Sequence, residues 1–449
     1  MDVLVIADDL TGANANGALL SAKGFSSATC LGLQEWTPED FAAYSAITLS
    51  VDSRLLHPKE AGKRVQDALR TFAPQRPKII AKRIDSTLRG NVGAEIESAL
   101  LGLEEYFQAR ALAVVVPSYP SSGRLVSGGY LIVHGLPLEC SPIAKDSATP
   151  LTSSSVLEVI AQQTDWPTGL IDLKTVLAGP KAIRAQCLRL WDQGMRILAC
   201  DAVINENVTS IAEALADTPF PILAADPGPF TAELALARLG APKVVKAADA
   251  LPPARVLTVI GSTSELTRKQ IKALRQAHPC RLIRADCLRL LNPAQRAEEI
   301  ARAINGLMQE GDDASVLCLC TALEAADVFK LEDLAANFSL SPSQASISLN
   351  EALLEVAKAA LAVKELRIGS LFVSGGEVTV SLFRGLQSKG FSVRSQVLPL
   401  AAYGQLIQGL YPDLPVVTKG GFVGDAASLV QCIEYLFARM PGRDILPVS

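Results

Sequence analysis

The sequence predicts an α/β protein of two domains, each a mainly parallel sheet covered by helices. Short apolar runs of strand type alternate with helical stretches along the 449 residues, and alternating β and α units favour a parallel sheet with helices on both faces. The segment AADALPPARV, residues 247–256, places a proline pair between a helix end and a new strand. Such a segment is typical of a linker. We therefore expect domains at residues 1–246 and 257–449, joined by a linker at 247–256.

Composition limits the classes of function. The 42 basic and 46 acidic residues give a net charge of −4 and are mixed along the chain without a basic tract, so neither nucleic acid nor a membrane is indicated as a partner. The nine cysteines form no CxxC pair, which favours buried, reduced thiols over disulfides or a zinc site. No apolar run reaches the ~18 residues needed to span a bilayer. A strand-like run begins at residue 3 without a basic leader, so we expect a cytoplasmic location.

The first element is a strand, an acidic turn and a helix. Val3 to Ala7 is a continuous apolar run of the buried-strand type, and Asp8 and Asp9 follow at its end. An Ala- and Leu-rich helix then runs to about Gly24. The adjacent carboxylates could bind ligand hydroxyls, hold a metal or act as a base. Alternatively, Asp9 could have no role other than capping the helix.

Later strands repeat this pattern. The run AITLSVDSR ends in an acid, a hydroxyl and Arg54. The stretch IIAKRIDSTLRGNVG, residues 79–93, passes from an apolar run into three cations, one carboxylate and two hydroxyls: Lys82, Arg83, Arg89, Asp85, Ser86 and Thr87. In an open α/β sheet, side chains just past the carboxyl end of a strand lie at the ligand crevice, and a helix start nearby offers N–H donors. The stretch therefore predicts a site for a polar, anionic ligand, with an exposed charged loop as the alternative.

Several strand-like runs share a terminal acid, namely Asp8, Asp52, Asp85, Asp201 and Asp226. Between them, PSYPSSGR and GGYLIVHGLPL predict a loop and a hairpin. His134 lies in this hairpin, and a lone histidine in an apolar strand is more often structural than catalytic. Residues 141–165 are rich in Ser, Thr and Pro, and we interpret them as an ordered surface crossover or lid.

The second domain carries turns that suit a nucleotide. Its first strand ends at Gly261, and Ser262 with Glu265 is expected to form a capping box. One glycine pair follows a strand in SLFVSGGEV, and PVVTKGGFVGDAASL sets three glycines and Lys419 before the final helix. Backbone approach at such glycines and a lysine at a helix start favour phosphate binding. Neither GxxxxGK[ST] nor a GxGxxG after a strand occurs.

Seven motifs occur in order along the chain: ADDLTGA, DSR, KRIDSTLRGN, PSYPSSGR with HGLPL, GS followed by TRKQI, VSGGE and TKGGFVGD. In this order they resemble the four-carbon acid sugar kinase family, from Val3 to about Leu436. The resemblance implies an N-terminal sugar-acid-binding domain and a C-terminal nucleotide-binding domain. It also implies transfer of the γ-phosphoryl group of ATP, with Mg²⁺, to a hydroxyl of an acid such as D-threonate, D-erythronate or 3-oxo-tetronate.

The resemblance also implies which residues bind each substrate. The expected sugar-acid site comprises Asp8, Asp9, Arg54, Lys82, Arg83, Ile84, Asp85 and Arg89. The expected ATP site comprises Ser262, Gly375, Gly376, Glu377, Lys419, Gly420, Gly421, Phe422, Val423 and Gly424. Asp85 or Asp9 would be the carboxylate near the attacking hydroxyl. Arg54, Lys82 or Arg83 could pair with the carboxylate of the acid. No residue is indicated as a metal ligand.

Two departures from the family pattern and two rival functions stay open. The family often has an Asp where this chain has Ala15, and commonly a Thr where it has Val378. A phosphatase or dehydrogenase is disfavoured because DxDxT and GxGxxG are missing. A non-catalytic sensor that binds a sugar acid and a nucleotide is the alternative. The expected partner is a small-molecule sugar acid, and a homo-oligomer is left open.

Overall fold

The computed structural model describes residues 1–32, 36–145, 149–242, 254–309 and 313–440. The chain divides into two compact units, Met1–Val245 and Lys246–Ser449. Most of the expected linker at 247–256 lies outside the described residues, and Arg255 and Val256 already belong to a strand. The linker and its bounds therefore stay a prediction. Within the described ranges, no helix is long and apolar enough to cross a membrane.

The first unit contains a main sheet and a small hairpin sheet. Its strands are β1 Val3–Ala7, β2 Ser27–Cys30, β3 Ala46–Ser50, β4 Ile79–Arg83, β5 Leu112–Val115, β6 Arg124–Ser127, β7 Tyr130–Val133, β8 Leu136–Pro137, β9 Thr168–Ile171, β10 Ile197–Cys200 and β11 Ile222–Asp226. Its helices are α1 Leu10–Ala22, α2 Pro38–Ala42, α3 Pro58–Phe72, α4 Val92–Phe107, α5 Val156–Ala161, α6 Leu173–Leu177, α7 Pro180–Asp192, α8 Asn205–Leu215 and α9 Pro229–Leu239.

The main sheet of the first unit is parallel throughout, in the order β2-β3-β1-β4-β11-β5-β10-β9. All five residues of β1 are buried, as are those of β4 and β11. Continuous apolar runs of this kind are what a sheet with both faces covered requires. The strands β6, β7 and β8 form the expected hairpin as a separate antiparallel sheet.

The second unit contains a mixed sheet in the order β13-β14-β12-β15-β18-β17-β16. Its strands are β12 Arg255–Ile260, β13 Cys280–Arg284, β14 Val316–Cys320, β15 Ile368–Ser374, β16 Gly390–Leu398, β17 Ala401–Ile407 and β18 Pro415–Lys419. Its helices are α10 Glu265–Ala277, α11 Cys287–Leu291, α12 Arg296–Met308, α13 Leu331–Ala336, α14 Pro342–Ala362, α15 Gly376–Gly385 and α16 Ser428–Phe437. Five strands pair in parallel, while β16, β17 and β18 form an antiparallel meander.

None of the nine cysteines, all of which lie in the described ranges, forms a disulfide. Seven of them are buried, Cys280 is half-buried and Cys140 is exposed. Burial raises the pKa of Cys187 and Cys432, each to about 12. Thiols with such high pKa values stay protonated at neutral pH and behave as small apolar side chains.

Candidate functional site

The strand order of the first unit reverses at β1. The chain runs from β1 to β2 and β3 on one side and then crosses to β4 on the other. Ligands of open parallel sheets bind outside the carboxyl ends of the strands at such a reversal. Asp8 and Asp9 directly follow β1, and one residue separates Asp85 from the end of β4. The topology therefore brings the three carboxylates to one edge of the sheet.

Two arginines join the carboxylates that follow β1. Asp8 accepts hydrogen bonds from Arg54 Nε at 2.7 Å and from Arg83 Nη1 at 2.8 Å. Asp9 contacts the same two side chains, at 2.7 Å from Arg54 Nη1 and 3.0 Å from Arg83 Nη1. Each guanidinium group thus bridges both carboxylates, an arrangement that fixes all four side chains.

Asp85 and Arg89 complete the group, which we call the aspartate–arginine cluster (Asp8, Asp9, Asp85, Arg54, Arg83 and Arg89). Asp85 accepts from Arg89 Nε at 2.9 Å and Nη2 at 3.1 Å, and its Oδ1 lies 3.4 Å from Arg54 Nη2. The N–H and hydroxyl of Thr87 also donate to it. Because so many donors surround Asp85, its side chain is held in one orientation.

The cluster stays charged despite its burial. Burial alone would raise the pKa of Asp85, but Arg89 and then Arg54 outweigh it and hold that pKa well below its usual range. Burial likewise opposes the charge of Asp8, and Arg54, Arg83 and Lys82 together lower its pKa. The pKa of Arg54 is raised because Asp8, Asp9 and Asp85 outweigh its burial. All three groups are therefore ionised near neutral pH.

Asp9 also begins a helix. Its side chain accepts the N–H of Gly12 at 2.7 Å and so caps α1. Both interpretations of Asp9 thus apply to one residue, since it caps the helix and also binds two arginines. Gly12 leaves room for Arg83, because a Cβ at that position would lie 2.2 Å from Cζ of Arg83 and would displace its guanidinium group.

Lys82 and Ile84 lie differently from the rest of the expected sugar-acid site. The ammonium of Lys82 forms an ion pair with Glu95 of α4 at 2.7 Å, and the two side chains are 0% and 2% exposed. It also donates to the carbonyl of Arg83 at 2.7 Å. Ile84 is buried, and its N–H donates to the carbonyl of Asp226 at 3.1 Å. Successive residues of a strand point to opposite faces, which separates the charge of Lys82 from that of Arg83.

The other acids at strand ends have local structural roles. Asp201 accepts the N–H groups of Gly128 and Gly129 at 2.7 and 2.8 Å and so anchors the β6–β7 turn. Asp226 accepts the N–H of Phe230 at 2.7 Å, at the start of α9. Burial raises the pKa of Asp226. Asp52 is exposed and accepts the hydroxyl of Ser50.

Arg124 is a residue of this region that the sequence analysis did not include in the site. It begins β6, and its Nη1 lies 3.1 Å from Nε2 of His134. Burial lowers the pKa of Arg124, Asp85 opposes this effect and Arg89 adds to it. The signal in the sequence was the PSSGR loop, whose cation could be seen but not placed.

In the second unit, side chains and glycines converge on the loop at residues 420–424, here called the glycine loop. Lys419 is buried and donates to the carbonyls of Gly420 at 2.8 Å and Val423 at 3.3 Å. Ser264 and Thr267 donate to the carbonyl of Gly421 at 3.1 and 3.0 Å. Side chains of the protein therefore bind the carbonyl groups of the glycine loop. Phe422 projects outward and is 69% exposed.

The backbone donors of the glycine loop are available to a ligand. The N–H groups of Gly421, Phe422 and Gly424 donate to no acceptor among the residues that the structure describes. Neighbouring N–H groups without a protein acceptor are suited to a phosphate. Burial disfavours the charged ammonium of Lys419 and lowers its pKa from 10.5 to about 8.

The two remaining parts of the expected ATP site lie at neighbouring strand ends. Gly375 follows β15 and donates its N–H to the carbonyl of Lys419 at 3.0 Å, and α15 begins at Gly376. Glu377 is exposed in the first turn of α15. The predicted capping box of Ser262 with Glu265 is wrong, because Ser264 is the N-cap of α10 and accepts the N–H of Thr267. The hydroxyl of Ser262 lies 2.8 Å from that of Thr267.

Comparison with known proteins identifies the two units. A family model described as a sugar-binding N-terminal domain matches residues 3–234, and one described as a nucleotide-binding C-terminal domain matches residues 257–429. A D-erythronate kinase of Heliobacterium modesticaldum is 38% identical over 98% of both chains. The chain belongs to the four-carbon acid sugar kinase family. The sugar-binding match contains the aspartate–arginine cluster, and the nucleotide-binding match contains the glycine loop.

Other members of the four-carbon acid sugar kinase family align over nearly the whole chain. A D-threonate kinase of Salmonella typhimurium is 29% identical over 97% of this chain and 98% of its own. A 3-oxo-tetronate kinase of Haemophilus influenzae is 26% identical over 94% and 96%. A crystal structure from Salmonella typhimurium, 24% identical over 96% of this chain and 98% of its own, has a TM-score of 0.77 and supports the same fold.

Proposed function

We propose that this protein transfers the γ-phosphoryl group of ATP to a hydroxyl of a four-carbon sugar acid. The observation that carries this proposal is the full-length match to a D-erythronate kinase at 38% identity. D-Erythronate is therefore the first acid to test, with D-threonate and 3-oxo-tetronate next. The homo-oligomer stays an open question, and the expected cytoplasmic location stays a prediction.

Asp9 is the carboxylate that we assign to the attacking hydroxyl. Its side chain is 26% exposed, whereas those of Asp8 and Asp85 are 4% and 6% exposed. Asp85 is held by Arg89, Arg54 and Thr87 and has a depressed pKa, so it is a weak proton acceptor and a good anchor for arginines. Phosphoryl transfer depends mainly on alignment and neutralisation of charge, which such a rigid cluster supplies.

ATP would bind the second unit through the glycine loop and the start of α15. The N–H groups of Gly421, Phe422 and Gly424, which have no acceptor among the described residues, suit phosphate oxygens, and the helix start adds a favourable dipole. Mg²⁺ is usually held by phosphates and only one or two carboxylates. The exposed carboxylate of Glu377, beside the Gly375 turn, fits that need. When bound, Mg²⁺ would neutralise charge on the phosphates.

The test is ADP release with Mg²⁺ and ATP across a panel of four-carbon and branched sugar acids. We expect one acid to support turnover, the product to show a phosphate ester in a ³¹P spectrum, and Asp9→Asn to lose more activity than Asp85→Asn. A sensor would instead bind acid and nucleotide in calorimetry without releasing ADP. Binding of neither ligand would refute the kinase and the sensor alike.

A further inference from the structure

The charges of the aspartate–arginine cluster balance within the protein. Three carboxylates face three guanidinium groups, and every one of these groups has an opposite charge within 3.4 Å. Lys82, the remaining cation that the sequence suggested, is paired with Glu95 at 2.7 Å. None of the cations expected to bind the substrate carboxylate is therefore left without a protein partner. Arg54 Nη2 and Arg83 Nε also lack a hydrogen-bond partner, but the charge of each side chain is already shared by at least two carboxylates. A bound acid would therefore compete with these carboxylates or use a different cation.

Arg124 is such a cation. Its Nη1 donates to the carbonyl of Ser122 and to Nε2 of His134, and its Nε is buried without a hydrogen-bond partner. Among the residues with a described placement, no carboxylate forms an ion pair with Arg124. A buried guanidinium donor without a partner is costly. An incoming anion would remove that cost, because it accepts the free donor and neutralises the charge together.

Arg124 lies at the same edge of the sheet as the cluster. The segment that leaves the carboxyl end of β5 carries Tyr119, which bridges to Arg124, and only β11 separates β5 from β4 in the parallel sheet. Asp85 and Arg89 of the cluster also act electrostatically on the guanidinium of Arg124. Arg124 pairs with Val133 in the β6–β7 ladder, and His134 follows directly. Arginine is only a donor, so Nε2 of His134 is the acceptor in their contact. Burial and then Arg124 lower the pKa of His134, which favours the neutral ring that this contact needs.

A glycine makes this pairing sterically allowed. Gly123 has φ +73°, and a Cβ there would lie 2.6 Å from Nδ1 of His134. The ring can therefore lie against the backbone and hold the arginine from one side. Nε of Arg124 stays a buried donor that no described residue accepts.

We propose that Arg124 binds the carboxylate of the sugar acid, with His134 as its positioning residue. This proposal rests on the proposed function, because it needs a substrate that carries one carboxylate and several hydroxyls. The carboxylate would pair with Arg124 while the hydroxyls contact Asp9 and its neighbours. The cluster would then select for hydroxyls, and Arg124 for the charge.

The experiment compares D-erythronate with its uncharged methylamide, by calorimetric binding and by kcat/KM. Arg124→Gln should weaken binding of the acid by about 10²-fold and that of the amide by less than about threefold, so that the preference for the acid is lost. Arg124→Lys should keep part of the preference, since the charge remains. Arg70→Gln removes the same charge from a side chain that is 59% exposed, and it should change the binding of neither ligand. The KM for ATP should stay the same in all three variants.

Equal losses for acid and amide in a folded Arg124→Gln protein would overturn the proposal, because they would mean that Arg124 only supports the hairpin. An unchanged preference would overturn it as well. If Arg124→Gln does not fold, Arg124→Lys decides, and equal losses for acid and amide in this variant would count against a contact between residue 124 and the carboxylate. If the unaltered protein phosphorylates an acid but Arg124→Gln does not change the preference for the acid, the proposed kinase activity is supported and only the role of Arg124 is refuted. If it neither binds nor phosphorylates any acid of the panel, both proposals fall.

Discussion

Replacing Lys82 separates a structural role from a role in binding. Its ion pair with Glu95 is 2.7 Å long, and the side chains are 0% and 2% exposed. Lys82→Met would leave a buried carboxylate whose second oxygen, Oε1, already lacks a hydrogen-bond partner. Breaking a buried pair from one side costs about 3–5 kcal/mol. For a unit of 245 residues, each kcal/mol lowers the Tm by about 2–4 °C, so we expect a fall of about 6–20 °C.

The double variant Lys82→Met with Glu95→Leu should be more stable than either single variant. It buries no unpaired charge, and it loses mainly the hydrogen bond from Lys82 to the carbonyl of Arg83, which contributes about 1 kcal/mol. Calorimetric melting of the four proteins gives the order of their Tm values. The KM for the sugar acid, measured on the folded double variant, should stay within about threefold of the unaltered protein, less than the change of a lost charged contact.

Two results would refute this reasoning. A double variant that is as unstable as the two single variants combined would mean that Lys82 and Glu95 contribute independently. A stable double variant whose KM for the acid rises by about 30-fold or more, the scale of a lost charged contact, would mean that Lys82 touches the substrate, as the sequence first suggested.

Three further predictions concern the two sites. Gly12→Ala should lower kcat/KM by at least about 10²-fold while the fold is kept, because the new Cβ would lie 2.2 Å from Arg83; unchanged kinetics with a normal circular dichroism spectrum would contradict this. Asp85 has a pKa held below its usual range, so its stabilising effect is complete above the unfolded pKa of about 3.9 and is lost as pH falls through the folded value. Melting curves from pH 5 to pH 3 should therefore fall less steeply for Asp85→Asn, and parallel curves would refute the assignment. Lys419 has a pKa of about 8 in the folded protein, against a reference value of 10.5. The free energy of unfolding should therefore rise between these pH values by up to about 3 kcal/mol relative to Lys419→Met. Urea unfolding at several pH values tests this, and the same dependence on pH in both proteins would contradict it.

The strands and their polar ends could be predicted because local patterns determine them. A run such as VLVIA has no polar residue and is too short for a helix, and the acids that follow it mark the strand end. The order of strands in the sheet then places Asp8, Asp9 and Asp85 together. The glycines before α15 and α16 could be located for the same reason, since turns and helix starts leave local signals.

What the sequence could not predict depends on contacts between distant segments. Strand periodicity predicts that Lys82 and Arg83 point to opposite faces, but only the packing of α4 shows that Lys82 forms an ion pair with Glu95. The N-cap of α10 shifted from Ser262 to Ser264 because the carbonyl of Gly421, far along the chain, accepts the hydroxyls of Ser264 and Thr267. Arg124 is positioned by the pairing of β6 with β7 and by its contact with His134.

The uneven exposure of the nine thiols gives the protein a natural position for a probe. Cys140 is the exposed one, and it closes the short turn after β8. A maleimide dye should therefore react there first, while the buried thiols with raised pKa values react slowly. The label would lie in the short helical turn directly after β8, the last strand of the small sheet that begins at Arg124. Fluorescence from this one dye could then follow the arrival of a sugar acid in real time, without any engineered cysteine.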